Sequence, residues 1–550
     1  MMEGKPSSFS AEERELLAKF VSDPTRDVFA VFPSALPGMI GSAYARYSRA
    51  KGGFLKTLLK EFIEEGKVDA KHADELIQRI LIQYGDDSVQ ELESAWLSLE
   101  NVSNIATKVI EDRRLGAYIE QSSRYVFYDE KNAAGQYRYL REPAIMQSAH
   151  AQAFENTTDF VFGTYCRLIE PMQEYFRKRK PLDKAEYQIR DDRGKMQYAD
   201  CSTDQERKDF ERTWKFDLRA KTCDTLRILL PVATQTNVGM HANGRTFEHM
   251  LRNLYSSDLA ELQQIGKQAH EALNTVIRRY VQRAQRSDYL VTARQAMEKL
   301  TRKLVGSIPV LKSPAVDVIT EGFTDDGQLA AMLYPFAPHP YRQLREFVSR
   351  LSPDQRRLIR STYIGERKTR RDRPGRALEF GYPWLVDLKI DLGIYRDLHR
   401  HRMMTQQRQD FTVELGFSEI PDEIQEAGYT TDVQSCVDKV TELYHAIKND
   451  LGTAIAQYVV LFGFNTRCMF GFNDREAQHL LELRTQPQGH RSYRLVCQEI
   501  ARKMHEAAPT RVESLLQFVD YNDYDWPRAD SEAHQRMKEA KLDRKNTAQA

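Results

Sequence analysis

The sequence predicts an α+β fold of two tandem domains related by pseudo-twofold symmetry, each a small sheet with long helices. Two repeated features carry that expectation. The first is a string, Asn243-Gly244-Arg245-Thr246-Phe247-Glu248-His249, which recurs as Asn473-Asp474-Arg475-Glu476-Ala477-Gln478-His479. Arg and His stand four apart in each copy, on one face of a helix that begins near the Asn. The second lies upstream of each string. Val386, Leu388, Ile390 and Leu392 alternate with Asp387, Lys389 and Asp391, a period of two that marks a strand with one buried face. Gly393 then breaks the strand before a helix over IYRDLHRHR. The earlier counterpart is a strand over ESAWLSLENV, with Ser103 as N-cap of a helix through IATKVIEDRR. Each repeat therefore runs strand, helix, arginine cluster, polar loop, helices, then the Asn–Arg–His string.

The repeats differ in their middles, since Arg114 to Asn243 is a far longer stretch than Arg402 to Asn473. The surplus falls at about 130–220, a charged and partly helical insertion. The expected organisation is an N-terminal domain over 1–285, a linker over 286–314 with the prolines of SIPVLKSPAVD, a C-terminal domain over 315–530 and a charged tail over 531–550.

Composition narrows the function classes. The 550 residues are 41% hydrophobic, enough to build packed cores rather than a disordered chain. Lys plus Arg number 80 against 79 Asp plus Glu, a balance that argues against a nucleic-acid coat or a polybasic membrane binder. No apolar run approaches the ~18 residues of a membrane span. The first residues show no signal-peptide core, and Ser10 with Glu13 reads as a capping box opening an amphipathic helix. Six dispersed cysteines without a CxxC pair argue against a disulfide framework or a zinc site. The expectation is a soluble, cytoplasmic protein with no metal.

Arg400-His401-Arg402, preceded by His399, is either a basic helix end, favoured by the dipole, or an anion site in which guanidinium forks meet phosphate. Glu120-Gln121-Ser122-Ser123-Arg124-Tyr125 offers hydroxyls, an amide and a cation in one polar loop.

Together these strings resemble the flavin-dependent thymidylate synthases, whose signature is Arg-His-Arg, seven residues and Ser, within a pattern ending E-x-S-x-R-Y. The second repeat keeps the triplet at Arg400–Arg402 but has Asp410 in place of the Ser. The first keeps Glu120–Tyr125 but has Asp112-Arg113-Arg114 as its triplet. The family's arginine before an apolar-Pro segment is Arg227, ahead of Ile228-Leu229-Leu230-Pro231, and its counterpart is Gln457. The arginine ending the family's E-L-R string is Arg484, and its counterpart is Leu254.

The resemblance implies a pyrimidine deoxynucleotide site made of two complementary sets, supplied in the family by neighbouring subunits. The phosphate side is Glu120, Gln121, Ser122, Ser123, Arg124 and Arg227, kept only in the first repeat. The sugar and uracil side is Arg400 and Arg484, kept only in the second. One composite site therefore survives between unlike repeats, and its reciprocal is lost. Arg484 is the candidate catalytic residue, a guanidinium that stabilises charge on N3/O4 of the uracil. Ser122 is a phosphate contact rather than a nucleophile, because no histidine lies near it in sequence.

For the cofactor, FAD, the resemblance implies contacts from Arg400, His401, Arg402, Asn473, Arg475 and His479, with Asn243, Arg245, His249, Ser48 and Ser88 in the first repeat. A family histidine is replaced by Asp86, and the matching region of the second repeat reads Asp372-Arg373-Pro374-Gly375-Arg376. NADPH and methylenetetrahydrofolate are the implied co-substrates, and methylation of deoxyuridylate to thymidylate the implied reaction. Two fused family domains imply a homodimer that mimics a family tetramer. Two other readings stay open: a degenerate homologue that binds flavin or nucleotide without turnover, and a helical RNA-binding or interaction protein using the run Glu366-Arg367-Lys368-Thr369-Arg370-Arg371.

Overall fold

Alternating apolar residues and capping side chains set the element order in the computed structural model, which describes residues 9–48, 53–64, 67–68, 87–190, 194–524 and 526. In chain order, the first repeat holds β1 (Ser94–Ser103), α1 (Asn104–Ile110), β2 (Gly116–Glu120), α2 (Ala151–Arg179), α3 (Asp204–Leu226), β3 (Gln235–Asn243) and α4 (Gly244–Tyr255). Then come α5 (Asp288–Val305) and β4 (Val316–Ile319). The second repeat holds β5 (Trp384–Asp391), α6 (Leu392–Leu398), β6 (Thr405–Arg408), α7 (Thr430–Leu451), β7 (Asn465–Phe472), α8 (Asp474–Arg484) and α9 (Arg491–Ala507).

The sheets repeat as well. One has the order β1-β3-β2, and the other β6-β7-β5-β4. Without β4 the second is the first over again, so the fold is a tandem duplication of one α+β unit. The helix starts repeat too. Ser103 Oγ accepts from Ala106 N and Asp391 Oδ1 from Ile394 N, while Asn243 and Asn473 cap α4 and α8 through Thr246 N and Glu476 N. Both Asn residues of the repeated string are thus N-caps, which satisfies amide donors that a helix start leaves open.

By its contacts the chain divides into two compact units that do not follow the repeats. One holds the residues up to Glu100 with Arg113–Glu120 and Asn237–Val291; the other holds Asn101–Asp112, Gln121–Thr236 and the residues from Thr292 on. In the first, Leu17, Phe20, Leu36, Phe54, Leu58 and Phe62 form a helical core, opened by the expected capping box of Ser10 and Glu13. In the second, segments of the two repeats meet in a short backbone ladder. Val232 N donates to Val460 O and Phe462 N to Leu230 O, both at 2.8 Å. Ala233 N donates to Tyr458 O at 3.1 Å and Gly463 N to Ile228 O at 3.0 Å. The two bonds of each pair exchange equivalent positions of the repeats, so a local twofold passes through the Pro231–Leu461 bridge. That bridge is the non-hydrogen-bonded pair of the ladder, where a proline without N–H costs no bond.

Several expectations change. β5 is buried on both faces, not one: Asp387 is as buried as Val386, because the helices Asp325–Leu333, Tyr341–Ser349 and Pro353–Ile364 pack over Leu385 and Met469. Leu392 and Gly393 open α6 rather than ending the strand, and α1 and α6 stop at Ile110 and Leu398, leaving both arginine triplets in turns. The segment expected as linker, 286–314, contains α5, a helix of 18 residues. The insertion is dominated by the 29-residue α2, which packs against α3 and α7. Asp86 and the expected tail, 531–550, lie outside the described residues. No two of the six cysteines are joined in a disulfide, and no described helix is long and apolar enough to cross a membrane.

The second face of β5 carries a buried ion pair. Asp387 accepts from Tyr334 OH at 2.7 Å, Tyr341 N at 2.8 Å and Arg467 Nη1 at 3.2 Å. Removing one partner strands a charge in the core, so Asp387→Ala should lower unfolding stability by ~3–5 kcal/mol, read as a fall in the urea midpoint. A change within ~0.5 kcal/mol, as at an ordinary surface site, would show that the pair is not buried as described.

Candidate functional site

The larger unit gathers cations from both repeats around Tyr493 and Asp397. The polar loop after β2 supplies Arg124, whose Nε and Nη2 form a fork on the Asp224 carboxylate at 2.9 and 3.0 Å. The Arg124 guanidinium also faces the Tyr493 ring at 5.7 Å, and the Arg484 guanidinium, from the end of α8, faces the same ring at 5.6 Å. Tyr493 stands in the first turn of α9.

Arg227 follows α3 and leads into the inter-repeat ladder. It is buried, and its Nη1 donates to Asp397 Oδ2 at 3.1 Å. A Cβ at Gly393 would stand 3.1 Å from Arg227 Nη2 and 3.1 Å from Asp391 Oδ1, so the glycine lets the guanidinium approach the start of α6. From α6, Arg396 Nη1 donates to Ser123 Oγ at 3.0 Å and its guanidinium lies 4.7 Å from the Phe462 ring.

The charges act on one another. Burial alone would raise the Asp397 carboxyl, but the Arg227 guanidinium, with those of Arg124 and Arg484 around it, holds it at about 2. Asp391, also buried, is lifted to about 6 despite Arg227. His490 is pushed down to about 3 by burial and then by the Arg227 cation. Its hydrogen bonds agree with a neutral ring: Nδ1 accepts from Ser492 N at 3.2 Å, and Nε2 stands 3.3 Å from Asp224 O.

Beside this cluster, His401 is buried between two side chains of α8. Its Nδ1 lies 3.0 Å from Glu476 Oε1, and its Nε2 lies 2.8 Å from Arg484 Nε. The exposed residues nearby are Arg400 on the turn, Asn473 at the N-cap of α8, and Arg475 and His479 on α8; the rings of His401 and His479 are 5.2 Å apart.

Arg124, Arg227 and Arg484 therefore lie together within one chain, and Ser123 joins them through Arg396. Ser122 Oγ accepts from Arg124 N at 3.2 Å, and Gln121 O from Thr236 Oγ1 at 3.4 Å, so both shape the loop. Glu120 is buried at the end of β2, in the other unit. Arg402 is half-buried on the turn after α6. Asn243, Arg245 and His249 lie in that other unit too, where Arg245 pairs with Glu91. Ser48 Oγ donates to Ala45 O at 2.8 Å, and Ser88 falls in the short helix Asp87–Leu92. Sequence reasoning missed Asp224, Asp397, His490 and Tyr493. No motif marks them, although Tyr493 and His490 sit just past the E-L-R string at the next helix start.

Asp112, Gln457, Leu254 and Asp410, at the positions expected to form the reciprocal set, are placed as follows. Asp112 takes Arg376 Nη1 on Oδ1 at 2.6 Å. Gln457 Oε1 accepts from Phe411 N at 3.0 Å, Leu254 is core and Asp410 is exposed. Asp372 organises the exposed turn of the Glu366–Arg371 run, accepting from Lys368 N and Thr369 N at 2.9 Å each.

Comparison with known proteins gives the family. A sequence profile of the thymidylate synthase complementing proteins, Thy1, matches residues 41–280 and 368–510. The chain belongs to that family. The two matched stretches correspond to the two repeats of this Thy1 chain. It is 33% identical to a UPF0159 protein of Chlamydia muridarum, over 97% of this chain and 100% of the relative. A UPF0159 protein of Chlamydia pneumoniae is also 33% identical, over 96% and 99%. One from Thermoplasma acidophilum is 27% identical over 90% and 98%. The full-length matches include relatives that are 27–33% identical, so this length is shared with them.

His490 gives the cluster a pH signature. Its folded value lies below the ordinary 6.5, so the unfolded chain binds the proton first and stability is lost as pH falls from about 6.5 towards 3. The slope is on the order of 1 kcal/mol per pH unit. Asp391 opposes it between about 4 and 6, because a raised carboxyl stabilises the acid side. His490→Asn removes only the first contribution. Its urea midpoint should therefore fall less than the wild type's between pH 7 and pH 4; parallel curves would show that His490 is not held neutral.

Proposed function

We propose that this Thy1 protein binds a pyrimidine deoxynucleotide in the Arg124–Arg227–Arg484 cluster and methylates it, with deoxyuridylate giving thymidylate, as a cytoplasmic flavoenzyme. The supporting observation is the convergence of Arg124 and Arg484, from opposite repeats, on one tyrosine ring. In this reading Arg124, Arg227 and Ser123 hold the phosphate end, and Arg484 meets the base. Arg400 stands on the sugar side.

Family members typically bind FAD, and the donor set beside α8 suits one. Arg475 and His479 are exposed four residues apart on α8, and His479 adjoins the turn that carries Arg400 and Arg402. Guanidinium forks of this kind match a pyrophosphate. A bound flavin would supply the redox chemistry, with NADPH and methylenetetrahydrofolate as co-substrates. The chain's own part is orientation and charge: the Arg484 guanidinium, half-buried, would stabilise negative charge at N3/O4 of the uracil more strongly than water does. The protein acts as a homodimer in this reading, with each nucleotide site built from a single chain.

Asp224 and Asp397 already neutralise Arg124 and Arg227, so an incoming phosphate must share those cations with two carboxylates.

Calorimetry with deoxyuridylate should give one site per chain. Arg124→Ala and Arg484→Ala should each weaken that same site tenfold or more, since a charge-assisted bond is worth ~1.5–3 kcal/mol. Deoxyuridylate-stimulated oxidation of NADPH separates turnover from binding alone. Two equivalent sites per chain, or variants that bind like the wild type, would overturn the composite site.

A further inference from the structure

We propose that Glu476 and His401 are positioning residues that aim the Arg484 guanidinium at the base, rather than cofactor contacts. The inference rests on the reading of Arg484 given under Proposed function. The bond pattern carries it. Arg484 Nε always bears its hydrogen, because a guanidinium does not lose its proton in a protein. It therefore donates to His401 Nε2 across 2.8 Å, and that ring nitrogen must be bare. The ring proton is then on Nδ1 and donates to Glu476 Oε1 across 3.0 Å. The Glu476 backbone is anchored by the helix cap, since its N–H donates to Asn473 Oδ1 at 3.0 Å. The carboxylate stands in the first turn of α8, where the helix dipole favours negative charge.

Both links are shielded: His401 is 4% and Glu476 8% exposed. Burial lowers the His401 value, opposed by Glu476 and assisted by Arg484 and His479, so the ring keeps a bare nitrogen at neutral pH. With both ring nitrogens committed inward, His401 has none left for a cofactor. Arg484 Nε is satisfied by the ring, and its Nη groups make no hydrogen bond among the described residues. The Tyr493 ring at 5.6 Å limits the guanidinium from another side. The relay thus leaves the Nη edge of Arg484 for a ligand and holds it in one direction, which lowers the ordering cost of binding.

The relay separates the base end from the phosphate end, and the test uses that separation. The full chain, labelled with 15N at histidine and arginine, should show His401 as the Nδ1–H tautomer and an Arg484 Nε–H signal protected from exchange. His401→Phe should abolish that protection and weaken deoxyuridylate tenfold or more, while leaving binding of deoxyribose 5-phosphate unchanged. His401→Gln, whose side-chain oxygen can accept the same bond, should restore protection and most of the affinity. Glu476→Ala should lie between His401→Phe and the wild type. An Nε2–H tautomer, an unprotected Arg484 Nε–H in the wild type, or equal losses for both probes would overturn the relay. If neither probe binds the wild type, the nucleotide reading falls while the tautomer and exchange measurements still decide the relay.

Discussion

The antiparallel ladder between 228–233 and 458–463 is the constraint on which the candidate site depends. Its apolar residues from Leu229 to Ala233 and from Tyr458 to Phe462 are buried, and buried backbone groups must find partners. Each segment finds them in the same segment of the other repeat. That pairing fixes the residue just before it. Arg227 is carried into the start of α6, against Asp397 and over Gly393. A cation from one repeat is thereby lodged among carboxylates of the other, and a site of mixed origin follows from how the backbones pair.

Such a buried cation needs paired charge, and the surroundings supply it unevenly. Asp397 is held strongly ionised by the guanidiniums around it, whereas Asp391, equally close to the start of α6, is lifted towards neutrality. One carboxylate thus neutralises Arg227 and the other serves mainly as the cap of α6. Arg124 has its own fork on Asp224. Guanidiniums held this way keep their direction without a ligand, so an anion would meet arginines already oriented. The same carboxylates weaken the pull on that anion, and preorganisation and attraction are traded against each other here.

How much of this the sequence revealed depends on how far apart the partners stand. The repeated strings, the Ser103 cap and the Asn caps are local features, legible from spacing alone. The alternation in β5 showed a strand but not its second buried face, because the covering helices arise from 325–364 and leave no trace in the strand beyond Asp387. The arginines were legible as motif residues; their carboxylates were not. Arg124 and Asp224 are 100 positions apart, Arg227 and Asp397 170. His401 shows the limit most clearly. A histidine inside a basic triplet suggests an anion contact, yet its partners Glu476 and Arg484 lie 75 and 83 positions away, and only folding turns the ring inward.

The asymmetry between the repeats then has a structural meaning. Asp112 and Gln457 stand where the other repeat has arginines, and both have taken up work in the fold. Asp112 receives Arg376 on its carboxylate and on its backbone carbonyl, at 2.6 and 2.7 Å, with His399 at 3.7 Å. Gln457 holds the backbone at Phe411. Restoring an arginine at position 112 would set it against Arg376, and at 457 would leave the Phe411 N–H unpaired in the core. Both residues are now tied into the packing of the fold, so returning an arginine to either position would cost stability. Leu254, wholly buried in the core, is held in place by the same logic. The proposed composite site fits a duplicated fold in this condition, because the two repeats have become different parts of a single structure.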